Sequence, residues 1–250
     1  MLAMLAAFLP LMAWANDEDA KLEAVFKAYL DGSFALRPME ATALGDHRFD
    51  AQLEDLTPAA RQKWRDYDQQ TLDQLPKEID YAKLSRDGQI NFDILKHDLT
   101  LGLWRFDNEP GFEKDPRVYD NYITDSVYLP LTQSTLPKET NIANCLARMA
   151  QIPKIIAAAK QNLNHPPRAH TETAIRQNRG AIDYYEEGIA NDLGETSQGA
   201  AMTGARKAVV AALKDYQNFL EKDLLPQADG EWRVGEKKFS EKLELELQTG

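Results

Sequence analysis

The sequence predicts an all-α fold, an antiparallel multi-helix bundle. Apolar residues recur three and four apart in one segment after another. Proline and glycine punctuate those segments where helices start and stop. Most connections are short, which makes sequence neighbours antiparallel.

Residues 17 to 31 place Leu22, Val25, Phe26, Tyr29 and Leu30 on one stripe, with Gly32 as the expected stop. Arg37-Pro38 opens a short second helix with proline in its first turn, and Gly45 ends it. Thr57-Pro58 opens a third in the same way, running through Trp64 and Leu72 to Leu75, before Pro76. From Ser85 to Phe106 there are two apolar stripes. Ile90, Ile94, Leu101 and Trp104 form one; Phe92, Leu95, Leu99, Leu103 and Phe106 form the other. A helix apolar over most of its circumference is expected to be buried.

From Asn108 to Pro137 the periodicity fails, and Pro110, Gly111, Pro116, Pro130 and Pro137 interrupt a run containing Tyr119, Tyr122 and Tyr128. The expectation for 108–137 is a long ordered loop. Long irregular connections in compact domains often carry function, so these tyrosines are the candidate substrate-facing residues. The competing reading packs them onto the bundle.

Ile142, Cys145, Met149, Ile152, Ile156, Ala159 and Leu163 then mark the clearest helix, which Pro153 is expected to kink. Cys145 sits on that apolar seam and reads as a buried, inert thiol. After Asn164-His165-Pro166-Pro167, a helix carries Ile175, Ile182, Tyr185 and Ile189, with Asp183, Glu186 and Glu187 on its solvated side. A polar break from Gly194 to Gly199 precedes a last strong helix with Val209, Leu213, Tyr216, Leu220 and Leu224, ending at Pro226. The tail is ambiguous: Phe239, Leu243 and Leu247 fit a helix, whereas Leu243, Leu245 and Leu247 alternate as in a strand. It ends without a cap or charged trailer, as a cut chain would.

Residues 1–15 read as a secretory signal peptide with Ala13 and Ala15 at an A-x-A cleavage site, leaving residues 16–250 as the mature part. The apolar block from Leu2 to Ala15 is short of the roughly 20 residues that span a bilayer, and Pro10 interrupts it. No Lys or Arg precedes it, which leaves an upstream start open. The expected location is periplasmic or secreted, with no membrane attachment after cleavage. One cysteine excludes an intramolecular disulfide, so the fold must rest on core burial. With 29 Lys and Arg against 40 Asp and Glu, a net charge of −11 argues against nucleic acid and anionic lipid as partners.

No residue of this chain reads as catalytic, cofactor-binding or metal-ligating. A helical zinc peptidase site needs His-Glu-x-x-His, because two His four apart share a face beside a Glu that activates water. No His here is followed by Glu. His165 and His170 are separated by a Pro-Pro turn, His97 reads as a core histidine, and His47 sits in a polar turn without an evident partner. A Gly-x-Ser-x-Gly elbow, a phosphate-binding loop and Cys-x-x-Cys are all missing.

The string Arg37-Pro38-Met39-Glu40-Ala41-Thr42-Ala43-Leu44-Gly45-Asp46-His47-Arg48-Phe49-Asp50, followed by Leu53-Glu54-Asp55-Leu56, resembles the opening of a large bacterial family. Its members are secreted or lipoprotein-type proteins, catalogued as a domain of unknown function and regarded as zincin-like metallopeptidases. Further similar pieces, in the same order, are Ile90-Asn91-Phe92-Asp93-Ile94-Leu95, Arg148-Met149-Ala150-Gln151-Ile152-Pro153, Ala158-Ala159-Lys160-Gln161-Asn162-Leu163 and Phe219-Leu220-Glu221-Lys222-Asp223-Leu224-Leu225-Pro226. The family's metal motif, a His-Glu-x-x-x-x-His helix followed by Pro-Gly-His, has no counterpart here. The resemblance therefore implies an N-terminal portion of a larger, mostly helical zincin-like protein. It implies one wall of a cleft, with zinc in the C-terminal part and a peptide as substrate. The competing class is a complete secreted helical binding or scaffold domain that uses the Tyr-rich 108–137 loop.

Overall fold

The computed structural model describes residues 17–247, and every regular element among them is helical. The cleavage-site residues Ala13 and Ala15 lie outside the described residues. α1 (Asp17–Leu36) opens on Asp17, Glu18 and Asp19, which suit the positive end of the helix dipole. It continues through Gly32 instead of stopping there. Tyr67 donates from its hydroxyl to the Ala28 carbonyl at 2.9 Å, and a Cβ on Gly32 would lie 2.1 Å from that hydroxyl oxygen. Glycine makes room for the ring.

α2 (Pro38–Ala43) ends as expected at a turn in which Gly45 takes φ +84°. α3 (Pro58–Glu78) is capped by Thr57, whose hydroxyl accepts from Ala60 N, and it passes through Pro76 for its final residues. α4 (Arg86–Asn108) is capped by Ser85. Only one of its two apolar stripes is buried, the one carrying Phe92, Leu95, Leu99 and Leu103; Ile90 and Ile94 stand in solvent.

The 108–137 segment is not a loop. It folds into α5 (Gly111–Lys114) and α6 (Arg117–Thr132), because its prolines fall at helix ends. Pro116 precedes the first residue of α6, where a missing N–H costs little, and Pro130 in the last turn deprives the Ser126 carbonyl of its helical donor, which Arg148 replaces at 3.3 Å. The segment after Pro137 is likewise two helices, α7 (Lys138–Met149) and α8 (Ile152–Asn162). Pro153 lies in the first turn of α8 and begins a helix where the sequence suggested a kink within one.

α9 (Arg168–Asp183) runs into a π turn at Tyr184–Gly188 and then α10 (Ile189–Leu193). α11 (Gly199–Asn218) ends in a second π turn, Phe219–Leu224. At the first π turn Arg206 of α11 donates to the Tyr185 carbonyl at 2.7 Å, satisfying a group the wider turn displaces. The tail resolves as a helix, α12 (Glu236–Leu247), none of whose residues is buried.

Two hydrophobic clusters hold these helices together. The larger joins α6 to α11 around Tyr119, Ile123, Val127, Ile142, Tyr185, Leu213 and Tyr216. Cys145 lies inside it, and burial pushes its thiol up to about 12, so the inert reading holds. The smaller cluster joins α1, α3 and α4 through Leu22, Leu75, Phe92, Leu95 and Leu99. Trp64 of α3 belongs to the larger cluster, so α3 contributes to both.

Candidate functional site

Where α1, α3 and α4 meet they leave a cleft of about 500 Å³. Phe26, Tyr29 and Leu30 line it from α1, Trp64 and Asp68 from α3, and Leu99, Gly102 and Phe106 from α4. Arg37, at the junction of α1 and α2, also lines it. Its guanidinium donates to Asp68 at 2.5 Å and to Ser33 Oγ at 2.7 Å, and lies 5.7 Å from the centre of the Trp64 ring. Tyr29 reaches Asp68 at 3.4 Å, and burial, with the Asp68 charge beside it, raises its phenol to about 12. The cleft is thus lined by aromatic and aliphatic side chains together with a preformed ion pair. A second groove of about 440 Å³ shares Gly102, Arg105 and Phe106 and runs on towards Phe112 and Glu113.

A buried polar network fixes the segment from 38 to 54, which follows Arg37 in the chain. Arg148 of α7 is fully buried and donates to the carbonyls of Gln52 (3.1 Å) and Ser126 (3.3 Å) and to Thr42 Oγ1. Thr42 bonds Asp50 at 2.7 Å, and the other Asp50 oxygen meets His47 Nδ1 at 2.8 Å. Glu54, also buried, accepts from Met39 N at 2.8 Å in the first turn of α2. Desolvation outweighs that bond and lifts its carboxyl to about 7. The local reason for this fold is α2, whose Pro38 start turns Thr42 and Met39 inward.

The three candidate tyrosines do not share a face. Tyr119 is fully buried, its hydroxyl donating to the Phe112 carbonyl at 2.8 Å and accepting from Asn162 at 3.0 Å. Tyr122 is partly buried, its ring 6.3 Å from that of Phe112. Tyr128 is exposed.

The histidines are dispersed. His47 has the partner the sequence did not reveal, Asp50, and lies 3.5 Å from Thr135 Oγ1. His165, at φ +47°, pairs with Asp229 at 2.7 Å, and His170 lies 3.8 Å from Asp115. His97 is only partly buried on α4, so it is not a core residue. Among the described residues no three His, Cys, Asp or Glu side chains gather as metal ligands.

Arg37, Asp68 and Trp64 were not singled out by sequence reasoning as a site. A signal for them existed: Arg61, Trp64, Asp68 and Leu75 recur at helical spacing on the buried side of α3, and two charges on an apolar stripe ask for partners.

A family model described as "Bacterial protein of unknown function (DUF885)" matches residues 38–250. A solved structure titled as that of "a putative lipoprotein of unknown function from Shewanella oneidensis" superposes with a TM-score of 0.81 at 22% identity, over 92% of this chain and 43% of that one. At that identity the likeness is one of fold, and this chain spans less than half the length of its solved neighbour. None of the curated proteins matches. Among the described residues no helix is long and apolar enough to cross a membrane.

Proposed function

The chain belongs to the bacterial DUF885 family, and from that premise we propose that it is the helical cleft-wall portion of a periplasmic zinc-metallopeptidase-like protein, not catalytic by itself. The observation that carries this reading is an unfinished outer surface. α12 buries none of its residues, Phe239, Leu243 and Leu247 lie exposed along it, and Ile90 and Ile94 stand out from α4. Apolar stripes left in water mark a surface that meets more protein.

In this reading zinc and its ligands belong to the part that covers that surface, and the substrate is a peptide. Export removes residues 1–15 by cleavage after Ala15, and the lipoprotein title of the solved neighbour supports an envelope location. The alternative, a complete secreted binding domain acting through the 108–137 loop, has less support, because residues 117–132 are helical and Tyr119 is buried.

The test is to read the gene beyond the codon for Gly250 and to express both products. The expected result is an open frame continuing into a His-Glu helix. The longer product should keep stoichiometric zinc through dialysis against a mild chelator and hydrolyse peptides, and the present chain should do neither. A stop codon at that point with a well-behaved inert monomer overturns the proposal. So does zinc-dependent peptidase activity in this chain alone.

A further inference from the structure

We infer that the cleft between α1, α3 and α4 is a binding site for a peptide segment carrying a basic side chain next to a large apolar one. Each arginine lining the cleft is already matched to a carboxylate. Arg37 holds Asp68 at 2.5 Å, Arg65 holds Asp107 at 2.7 Å, and Arg105 holds Glu246 at 2.7 Å. The carboxylates Glu40 and Asp98 are left over. Glu40 has only a 3.9 Å approach to Arg37 and keeps half of its side chain in solvent, and Asp98 is exposed on α4.

The charge that remains unopposed is therefore negative, and it borders a cavity walled by Phe26, Tyr29, Trp64 and Phe106. Aromatic faces accept the alkyl stem of a lysine or arginine and attract its charged head. An anionic ligand would have to displace Asp68 from Arg37, and a wholly apolar one would leave the two carboxylates unused. The groove that continues past Gly102 and Phe106 gives room for the chain on one side of the bound residue.

This inference takes its ligand class from the peptide-handling reading above, but its test is separate. The probes are N-acetyl-Phe-Lys-amide and N-acetyl-Phe-Glu-amide, titrated into the purified chain by calorimetry. The lysine probe should bind about tenfold or more tightly than the glutamate probe and weaken with added salt, as exposed charge pairing does. Glu40→Gln and Asp98→Asn should each weaken it by about two- to fivefold.

Gly102→Phe is the decisive variant. Gly102 lines the cleft and a Cβ there meets nothing within 4 Å, so the helix accepts a side chain at this position and a phenylalanine is chosen to obstruct the cleft. It should abolish lysine-probe binding while leaving the circular dichroism spectrum unchanged. Equal affinity for the two probes, no binding of either at millimolar concentration, or undiminished binding in Gly102→Phe would each overturn the inference. A missing zinc site or peptidase activity would leave it intact, so the two readings fail separately.

Discussion

Arg148 and Thr42 are 106 residues apart in the chain, yet the Arg148 guanidinium donates to the Thr42 hydroxyl at 2.5 Å in the core. Thr42 passes the contact on to Asp50 at 2.7 Å, so a buried cation and a buried anion are bridged by one hydroxyl. This bridge holds the 38–54 segment against α7.

Arg148→Met should be among the most damaging single substitutions in the protein. It strips donors from two carbonyls and from Thr42, and it leaves the buried Asp50 with His47 as its only remaining basic neighbour. Breaking a buried ion network in this way costs about 3–5 kcal/mol. Arg148→Lys should recover little, because one ammonium cannot reach three acceptors arranged around a planar fork. Urea unfolding monitored at 222 nm measures both, and a loss under about 1 kcal/mol for the Met variant would refute the role.

Stability should fall as pH rises through neutrality. Burial raises Asp120 to about 8, its two oxygens having no hydrogen-bond partner, and raises Glu54 to about 7. An unfolded carboxyl titrates near 4, so between about pH 4 and pH 8 the folded chain keeps protons that the unfolded chain has released. The stabilisation is complete below that window and is lost through the folded values. Asp120→Asn removes the titration and should gain on the wild type by at least about 1 kcal/mol at pH 9 relative to pH 5. An identical difference at both pH values, from urea titrations, would show that Asp120 does not hold a proton when folded.

Two glycines should respond in opposite ways to alanine. Gly32→Ala drives a methyl into Tyr67 and breaks its bond to Ala28, for a loss of about 1–3 kcal/mol. Gly102→Ala has open space and should gain up to about 1 kcal/mol from helix propensity. Thermal unfolding of the two variants decides, and a gain at Gly32 would mean that the Tyr67 contact is dispensable.

The exposed stripes on α4 and α12 should make the chain self-associate. Sedimentation should show a mass that rises with concentration, and the double variant Ile94→Glu with Leu243→Glu should reduce it, since both side chains are exposed. A monomer at all concentrations in the parent chain would remove the surface argument for a covering partner.

The fold class was legible in the sequence, as were the starts of α2 and α3, the turn at Gly45, and the seam of α7 holding Ile142, Cys145 and Met149. All of these depend on the order of nearby residues, since helical periodicity, capping and backbone freedom are local properties. Periodicity does not say which partner a face meets. For that reason two stripes on α4 looked equally buried and only one is, Gly32 looked like a stop and is a contact, and the prolines of 108–137 looked like a loop and are helix ends. The cleft lay beyond local reading in the same way: Arg37 and Asp68 become a pair only when α1 and α3 pack side by side. The tertiary structure decided these matters because burial, ion pairing and cavity shape depend on which faces come together in space.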